Sequence, residues 1–172
     1  MEPRQLSEEL RKGQNPDLSR RRLIMGLSFV GATMAEAVSA YQVGMIEKLP
    51  DLPIPGIDSN KVDASDYAYS IFDTPDGLMM LVNYSITALL AGAGGANRAT
   101  QAPFLPIAMA GKTLIDSIVA LRLARIEWRD NEALCAYCQV ATLCSIASFA
   151  LSIPEANTAF RHLLGKRDPG TV

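Results

Sequence analysis

Residues 77–96 (GLMMLVNYSITALLAGAGGA) and residues 133–154 (ALCAYCQVATLCSIASFALSIP) contain no charged side chain. These stretches are 20 and 22 residues long, and an α-helix needs about 20 predominantly apolar residues to cross the hydrocarbon core of a bilayer. The mean hydropathy of the whole chain is only +0.13, because its charged residues are concentrated outside these stretches. The two stretches therefore predict transmembrane helices.

Two further apolar stretches are interrupted by charges. Residues 23–46 contain Glu36, and residues 104–126 contain Lys112, Asp116, Arg122 and Arg125. Together the four stretches predict an all-α fold, a four-helix transmembrane bundle with spans at about 23–46, 77–96, 104–126 and 134–154 and a long outer loop between the first two helices. A soluble four-helix bundle, in which the apolar stretches are buried helices, is the alternative.

Basic residues indicate the orientation of these spans. Residues 1–22 hold six Lys and Arg, the tail 155–172 holds Arg161, Lys166 and Arg167, and the connection 47–76 holds two lysines against seven acidic residues. Because Lys and Arg are enriched on the cytoplasmic side, we expect a multi-pass protein of the bacterial inner (plasma) membrane, with the N-terminal arm (1–22) and the tail (155–172) in the cytoplasm. Residues 19–24 (SRRRLI) also resemble a twin-arginine export signal, but we expect an uncleaved first span.

Composition argues against two classes of protein. The net charge of −2 gives no electrostatic reason to expect a nucleic-acid partner. One histidine and three cysteines cannot form the common Cys/His zinc sites, so we expect no metal site.

The motif Cys135-Ala136-Tyr137-Cys138 has the most specific chemistry in the chain. Its spacing places two sulfur atoms within disulfide reach across the first turn of a helix, where free backbone amides stabilise a thiolate. Thiolates in such motifs have pKa values of about 3.5–7.5, so the pair is expected to be a redox-active dithiol. The alternative is a disulfide that only caps the helix, or two inert thiols. Cys144 is expected to be a small buried hydrophobic residue.

The charges inside the third span admit two interpretations. Lys112 and Asp116 are four residues apart and can neutralise each other on one helix face, or they can belong to a proton path. Glu36 has no partner in its own helix, and Lys112 is the partner that we expect for it.

The sequence resembles the vitamin K epoxide reductase family of membrane thiol oxidoreductases over about residues 20–155. The resemblance rests on the four-span layout, the start of the last span (LCAYC, residues 134–138) and the segment 65–77 that leads to Asn83 and Tyr84. It implies a membrane oxidoreductase that couples a CxxC dithiol to reduction of a quinone (ubiquinone or menaquinone) near the outer surface. It also implies that Cys138 faces the quinone and that Cys135 exchanges with another thiol.

The resemblance also points to residues that would contact the quinone. Asn83 could donate a hydrogen bond to a quinone carbonyl, or make a polar contact between helices. Tyr84 could contact the quinone or belong to the core, and Tyr137 could pack on the quinone ring or lie at the lipid interface. Thr142 is the last candidate, and it stands four residues after Cys138, where some members of the family have a tyrosine. The expected partners are membrane lipid, the quinone and a secreted thioredoxin-like thiol protein.

The chain departs from the family in the first loop, which lacks the cysteine pair that typical members use to relay electrons to the motif. Ser65 lies near the position expected for the second loop cysteine. Without a relay, a thiol donor has to reach Cys135 directly. The alternative function is therefore a non-catalytic membrane subunit that keeps the fold and packs against a larger complex.

Overall fold

The computed structural model describes residues 2–70 and 72–165, and within these residues the fold is all-helical, as predicted. The elements are α1 (Pro3–Lys12), α2 (Pro16–Gln42), α3 (Ser59–Asp63), a 3-10 turn (Asp66–Tyr69), α4 (Asp76–Gly92), α5 (Arg98–Gln101), α6 (Phe104–Asn131) and α7 (Ala136–Gly165). An isolated bridge between Ile57 and Leu134 is the only β-type pairing among the described residues.

Three helices, α2, α6 and α7, are long and apolar enough to cross a membrane, which indicates a membrane protein. The fourth predicted span corresponds to α4, an apolar helix of 17 residues. At 1.5 Å per residue α4 is about 26 Å long, slightly shorter than the roughly 30 Å hydrocarbon core. It ends before residue 96 because Gly94 has a φ of 77°, a conformation that terminates the helix.

The helices pack around α2 and α7. α2 contacts both α4 and α7, and α6 packs mainly on α7, whereas α4 and α6 touch each other much less. Close approach of α2 and α4 depends on Gly31, because a Cβ atom there would overlap the ring of Tyr84. Because α4 packs mainly on α2 and α6 packs mainly on α7, space remains between α4 and α6.

The Arg21 guanidinium holds the end of α4. Arg21 is buried and donates hydrogen bonds to the carbonyl oxygens of Ala91, Ala93, Gly94 and Gly95 at 2.8–2.9 Å. Carbonyl groups at the end of a helix have no partner within the helix, so Arg21 satisfies them. Because α2 begins at Pro16, this arginine, which lies within the predicted N-terminal arm (1–22), is helical.

The last helix continues through Pro154 to Gly165, so the first part of the predicted tail is helical. Residues 166–172, with Lys166 and Arg167, lie outside the described residues. Glu155 is buried in this continuation and accepts two hydrogen bonds of 2.8 Å from Arg98. Arg98 also donates to the carbonyl oxygens of Leu90 and Ala93, which connects α7, α5 and the end of α4.

The charges of α6 pair as the first interpretation predicted. Lys112 Nζ lies 2.6 Å from Asp116 Oδ2, and it also donates to the carbonyl oxygen of Asn83 at 2.7 Å. The expected contact between Glu36 and Lys112 does not form, because the side chain of Glu36 is exposed on α2.

Replacing Glu155 should destabilise the protein strongly. Glu155→Gln leaves the Arg98 guanidinium buried without its countercharge, and removal of one partner from a buried ion pair costs about 3–5 kcal/mol. Thermal unfolding of the detergent-solubilised protein, followed by circular dichroism, should therefore show a clearly lower midpoint. Glu36→Gln, an exposed carboxylate on α2, serves as the control. Equal midpoints for the two variants would contradict a stabilising role for the buried pair.

Candidate functional site

The end of α6 and the start of α7 place the two cysteines of the CxxC motif. The chain turns at Glu132, which has a φ of 51°, and α7 begins at Ala136. Cys135 therefore directly precedes α7, and Cys138 lies in its first turn. The backbone N–H of Cys138 donates to Cys135 Sγ at 3.2 Å, which brings the two residues into the geometry that the spacing predicted.

The segment that connects α2 to α4 is docked on this turn. The backbone N–H of Leu134 donates to the carbonyl oxygen of Gly56 at 2.9 Å, and the N–H of Asp58 donates to the carbonyl oxygen of Leu134 at 3.1 Å. Ser59 Oγ accepts a hydrogen bond of 2.9 Å from the N–H of Ala136 and donates one of 2.6 Å to Asp51. Gly56 has a φ of 84° and faces the ring of Trp128, so a side chain there would be strained and crowded.

Docking of this segment places α3 over Cys135. Val62 and Ala133 are buried against Cys135, which has 0% of its surface exposed. A thiol donor therefore cannot reach Cys135 in this conformation, and direct exchange at Cys135 needs α3 to move away.

Asp63, at the end of α3, contacts both cysteines. Its Oδ2 accepts a hydrogen bond from Cys135 Sγ at 3.1 Å, and its Oδ1 lies 3.8 Å from Cys138 Sγ. Asp63 is 1% exposed, and burial raises the pKa of its carboxyl group to about 7. Sequence reasoning missed Asp63, because it is one of seven acidic residues in the connection 47–76 and no local pattern distinguishes it.

The structure places Ser65 away from the motif, and its match to the second loop cysteine of the family stays a prediction. Ser65 occupies the N-cap position of the 3-10 turn and lines a neighbouring cavity, whereas Ser59, Val62 and Asp63 are among the residues of the connecting segment that contact the motif. Asp63 is the last residue of the five-residue helix α3, and its side chain points toward the start of α7.

The protonation of Cys135 also differs from the expectation. Its hydrogen bond with Cys138 lowers the pKa of the Cys135 thiol, but burial and the neighbouring Asp63 carboxylate raise that pKa above its ordinary value. Burial and the Asp63 carboxylate therefore outweigh the free amides of the helix start and favour the protonated thiol.

A cavity of about 290 Å³ lies between α4, α6 and α7, and Cys138 lines it. Three of the four predicted quinone contacts, Asn83, Tyr84 and Thr142, line the same cavity. The side-chain amide of Asn83 makes no hydrogen bond to another described residue, whereas the Tyr84 hydroxyl is bonded to Ser145 Oγ at 2.8 Å and to the carbonyl oxygen of Ala141. Most of the remaining wall is apolar.

Tyr137 lies elsewhere. Its hydroxyl donates to the carbonyl oxygen of Pro50 at 2.8 Å, so it ties α7 to the connecting segment and does not line the cavity. Cys144 is 5% exposed and packs with Tyr84 and Ala141, as expected for a small buried hydrophobic residue.

A second cavity of about 440 Å³ adjoins the first, between the 3-10 turn and the end of α6. Asp76, Leu123 and Glu127 line both cavities. The Cys138 cavity is therefore bordered by two carboxylates on the side of the connecting segment.

Metal binding at the motif is limited by the number of ligands. One ligand atom each from Asp63, Cys135 and Cys138 lie within 4.8 Å of one another. A structural zinc site takes four protein ligands, and the described residues supply three here.

Comparisons with known proteins bear on the same residues. The search of curated proteins and the search of solved structures found no match. The family model for the vitamin K epoxide reductase family matches residues 22–153, which include α4, α6, the CxxC motif and the cavity. The chain belongs to the vitamin K epoxide reductase family.

Proposed function

We propose that the protein is a membrane oxidoreductase that couples the Cys135–Cys138 dithiol to reduction of a quinone, ubiquinone or menaquinone. The position of Cys138 on the wall of a largely apolar cavity supports this function most directly. Family membership supports membrane redox chemistry related to quinones.

The cavity suits the head of a lipid-soluble quinone. Its volume of about 290 Å³ is close to the lower end of the roughly 300–1,000 Å³ range for small-molecule pockets. Apolar walls fit the ring, and the free amide of Asn83 can donate to a ring carbonyl. Because α4 and α6 contact each other little, an isoprenoid tail can leave between them toward lipid.

The two cysteines have different roles in this proposal. Cys138 faces the quinone, and Cys135 closes the disulfide from beneath α3. Oxidation of the two thiols releases two electrons and two protons and forms one S–S bond, and the quinone takes up both electrons and two protons to become a quinol. The disulfide is then passed to a secreted, thioredoxin-like dithiol protein by exchange at Cys135.

That exchange needs an open conformation of the connecting segment. Cys135 is fully buried beneath α3, and the segment contains no cysteine that could relay electrons. The partner protein would therefore displace α3, which is held by two backbone hydrogen bonds to Leu134 and by the Ser59–Ala136 hydrogen bond.

We further propose that α2, α4, α6 and α7 all span the bacterial inner membrane, that residues 23–154 form this four-span membrane domain, and that both termini lie in the cytoplasm. The connecting segment then lies outside. Its acidic excess and the basic residues 1–22 support this orientation.

The orientation can be checked by labelling single cysteines in intact cells. Ser70→Cys, on the exposed part of the connecting segment, should react with a membrane-impermeant maleimide, whereas Arg4→Cys in α1 should react only after the cells are lysed. The unmodified chain measures the background from its own cysteines. Labelling with the opposite pattern would contradict the proposed topology.

Anaerobic mixing of the reduced protein with quinone tests the reaction. The unmodified chain should form one quinol per protein and lose two alkylatable thiols, whereas Cys138→Ser should form no quinol because it cannot make the disulfide. Cys144→Ser, a cysteine outside the motif, should behave like the unmodified chain. If no quinol forms and the thiols of the unmodified chain remain alkylatable, the protein is not a quinone reductase.

Asn83→Leu tests the cavity, because it keeps the branching and the number of side-chain heavy atoms and removes the amide. Loss of one hydrogen bond to the ring, worth about 1.4 kcal/mol, should raise KM for the quinone about ten-fold with little change in kcat. Ser85→Ala, an exposed residue on the same helix, is the matched control. An unchanged KM in Asn83→Leu would show that the amide does not contact the quinone.

A further inference from the structure

We propose that the Asp63 carboxylate takes the proton of Cys135 when the disulfide forms. This inference deepens the proposed function and rests on it, because it assigns to a residue of the connecting segment a catalytic role in the same dithiol reaction.

The geometry that supports it is a direct contact with the reacting atoms. Oδ2 of Asp63 accepts the Cys135 S–H at 3.1 Å, and Oδ1 lies 3.8 Å from Cys138 Sγ. Ser59 and Ala136 fix α3 against the start of α7 through a hydrogen bond of 2.9 Å. The carboxylate is therefore held beside both sulfur atoms, as a proton acceptor for closure of the disulfide requires.

The groups around Asp63 set the pKa of its carboxyl group. Besides the two cysteines of α7, the charges of Asp76 on α4 and Glu127 on α6 act on it, and Tyr69 of the 3-10 turn lies near enough to be influenced by it. From α2 the facing group is the neutral amide of Gln42, which donates to the carbonyl oxygen of Asp63 at 3.3 Å. Burial and the two carboxylates raise the pKa of Asp63 to about 7, so it exchanges protons near neutral pH.

A base is needed at this point because Cys135 loses its proton when it forms the disulfide, and its S–H already donates to Asp63. As Cys135 Sγ bonds to Cys138 Sγ, the Cys135 S–H bond breaks and its proton moves to Asp63. The two electrons of the dithiol go to the quinone. The proton of Cys138 goes to one quinone oxygen and a proton from water goes to the other, and Asp63 returns the proton of Cys135 to water. The sum is one disulfide and one quinol.

The step can be isolated without quinone. Reduced full-length protein in detergent with a chelator is treated with 4,4′-dithiodipyridine, which first forms a mixed disulfide at Cys138 and releases one 4-thiopyridone. Attack of Cys135 on Cys138 then releases the second. Cys144 is a third free thiol, so Cys135→Ser supplies the background release. The second release above that background, followed by absorbance from pH 5.5 to 9, measures the closure step.

The closure rate of the unmodified chain should rise with pH up to about 7 and then level off, because Asp63 becomes a carboxylate above its pKa and is protonated below it. Asp63→Asn keeps the size and the hydrogen-bonding oxygen, and should slow closure at pH 7 about 100-fold and abolish the plateau. Asp63→Glu should recover part of the rate. Asp66→Asn, which removes an exposed acid three residues away, should leave rate and profile unchanged.

Two results would overturn the proposal. One is an Asp63→Asn protein that is folded by circular dichroism and closes at the unmodified rate with the same pH profile. The other needs no variant and applies even if Asp63→Asn fails to fold: a closure rate in the unmodified chain that keeps rising ten-fold per pH unit to pH 9. Because the assay contains no quinone, neither result depends on whether the protein reduces quinones.

Discussion

The backbone pairing of residues 56–58 with Leu134 is the interaction on which the rest of the site depends. Two hydrogen bonds of 2.9 and 3.1 Å place the connecting segment on the turn before α7, and the hydrogen bond between Ser59 and Ala136 extends the contact into α3. Without this docking, Cys135 would lose the cover of α3, and Asp63 would lose its contact with the two sulfur atoms. A segment without a strand or a long helix therefore determines the environment of the dithiol.

This docking gives two cysteines, three residues apart, different surroundings. Cys135 lies beneath α3 in contact with a buried carboxylate, whereas Cys138 lines the cavity between α4, α6 and α7. The first environment suits proton transfer and the second suits an apolar electron acceptor. The connecting segment has no cysteine pair that could relay electrons to the motif. In the proposed reaction, Asp63 accepts the proton that Cys135 releases.

Local sequence patterns predicted the features that are themselves local. The uncharged stretches predicted apolar helices, the CxxC spacing predicted its position at a helix start, and the four-residue spacing predicted the Lys112–Asp116 pair. Asp63 and the buried Arg98–Glu155 pair could not be predicted, because their partners are 72 and 57 residues away in sequence. The raised pKa of Cys135 was missed for the same reason, since it comes from burial by a distant segment.

Photolabelling with an azidoquinone tests the central claim, that the cavity beside Cys138 holds the quinone. After irradiation and proteolysis, mass spectrometry should find the label on Met79, Met80 or Cys138, and excess unlabelled quinone should compete it away. An apolar groove of about 700 Å³ between α2 and α4, lined by Met25 and Phe29, is the competing location. A label confined to that groove, or spread over lipid-facing positions without competition, would contradict the account.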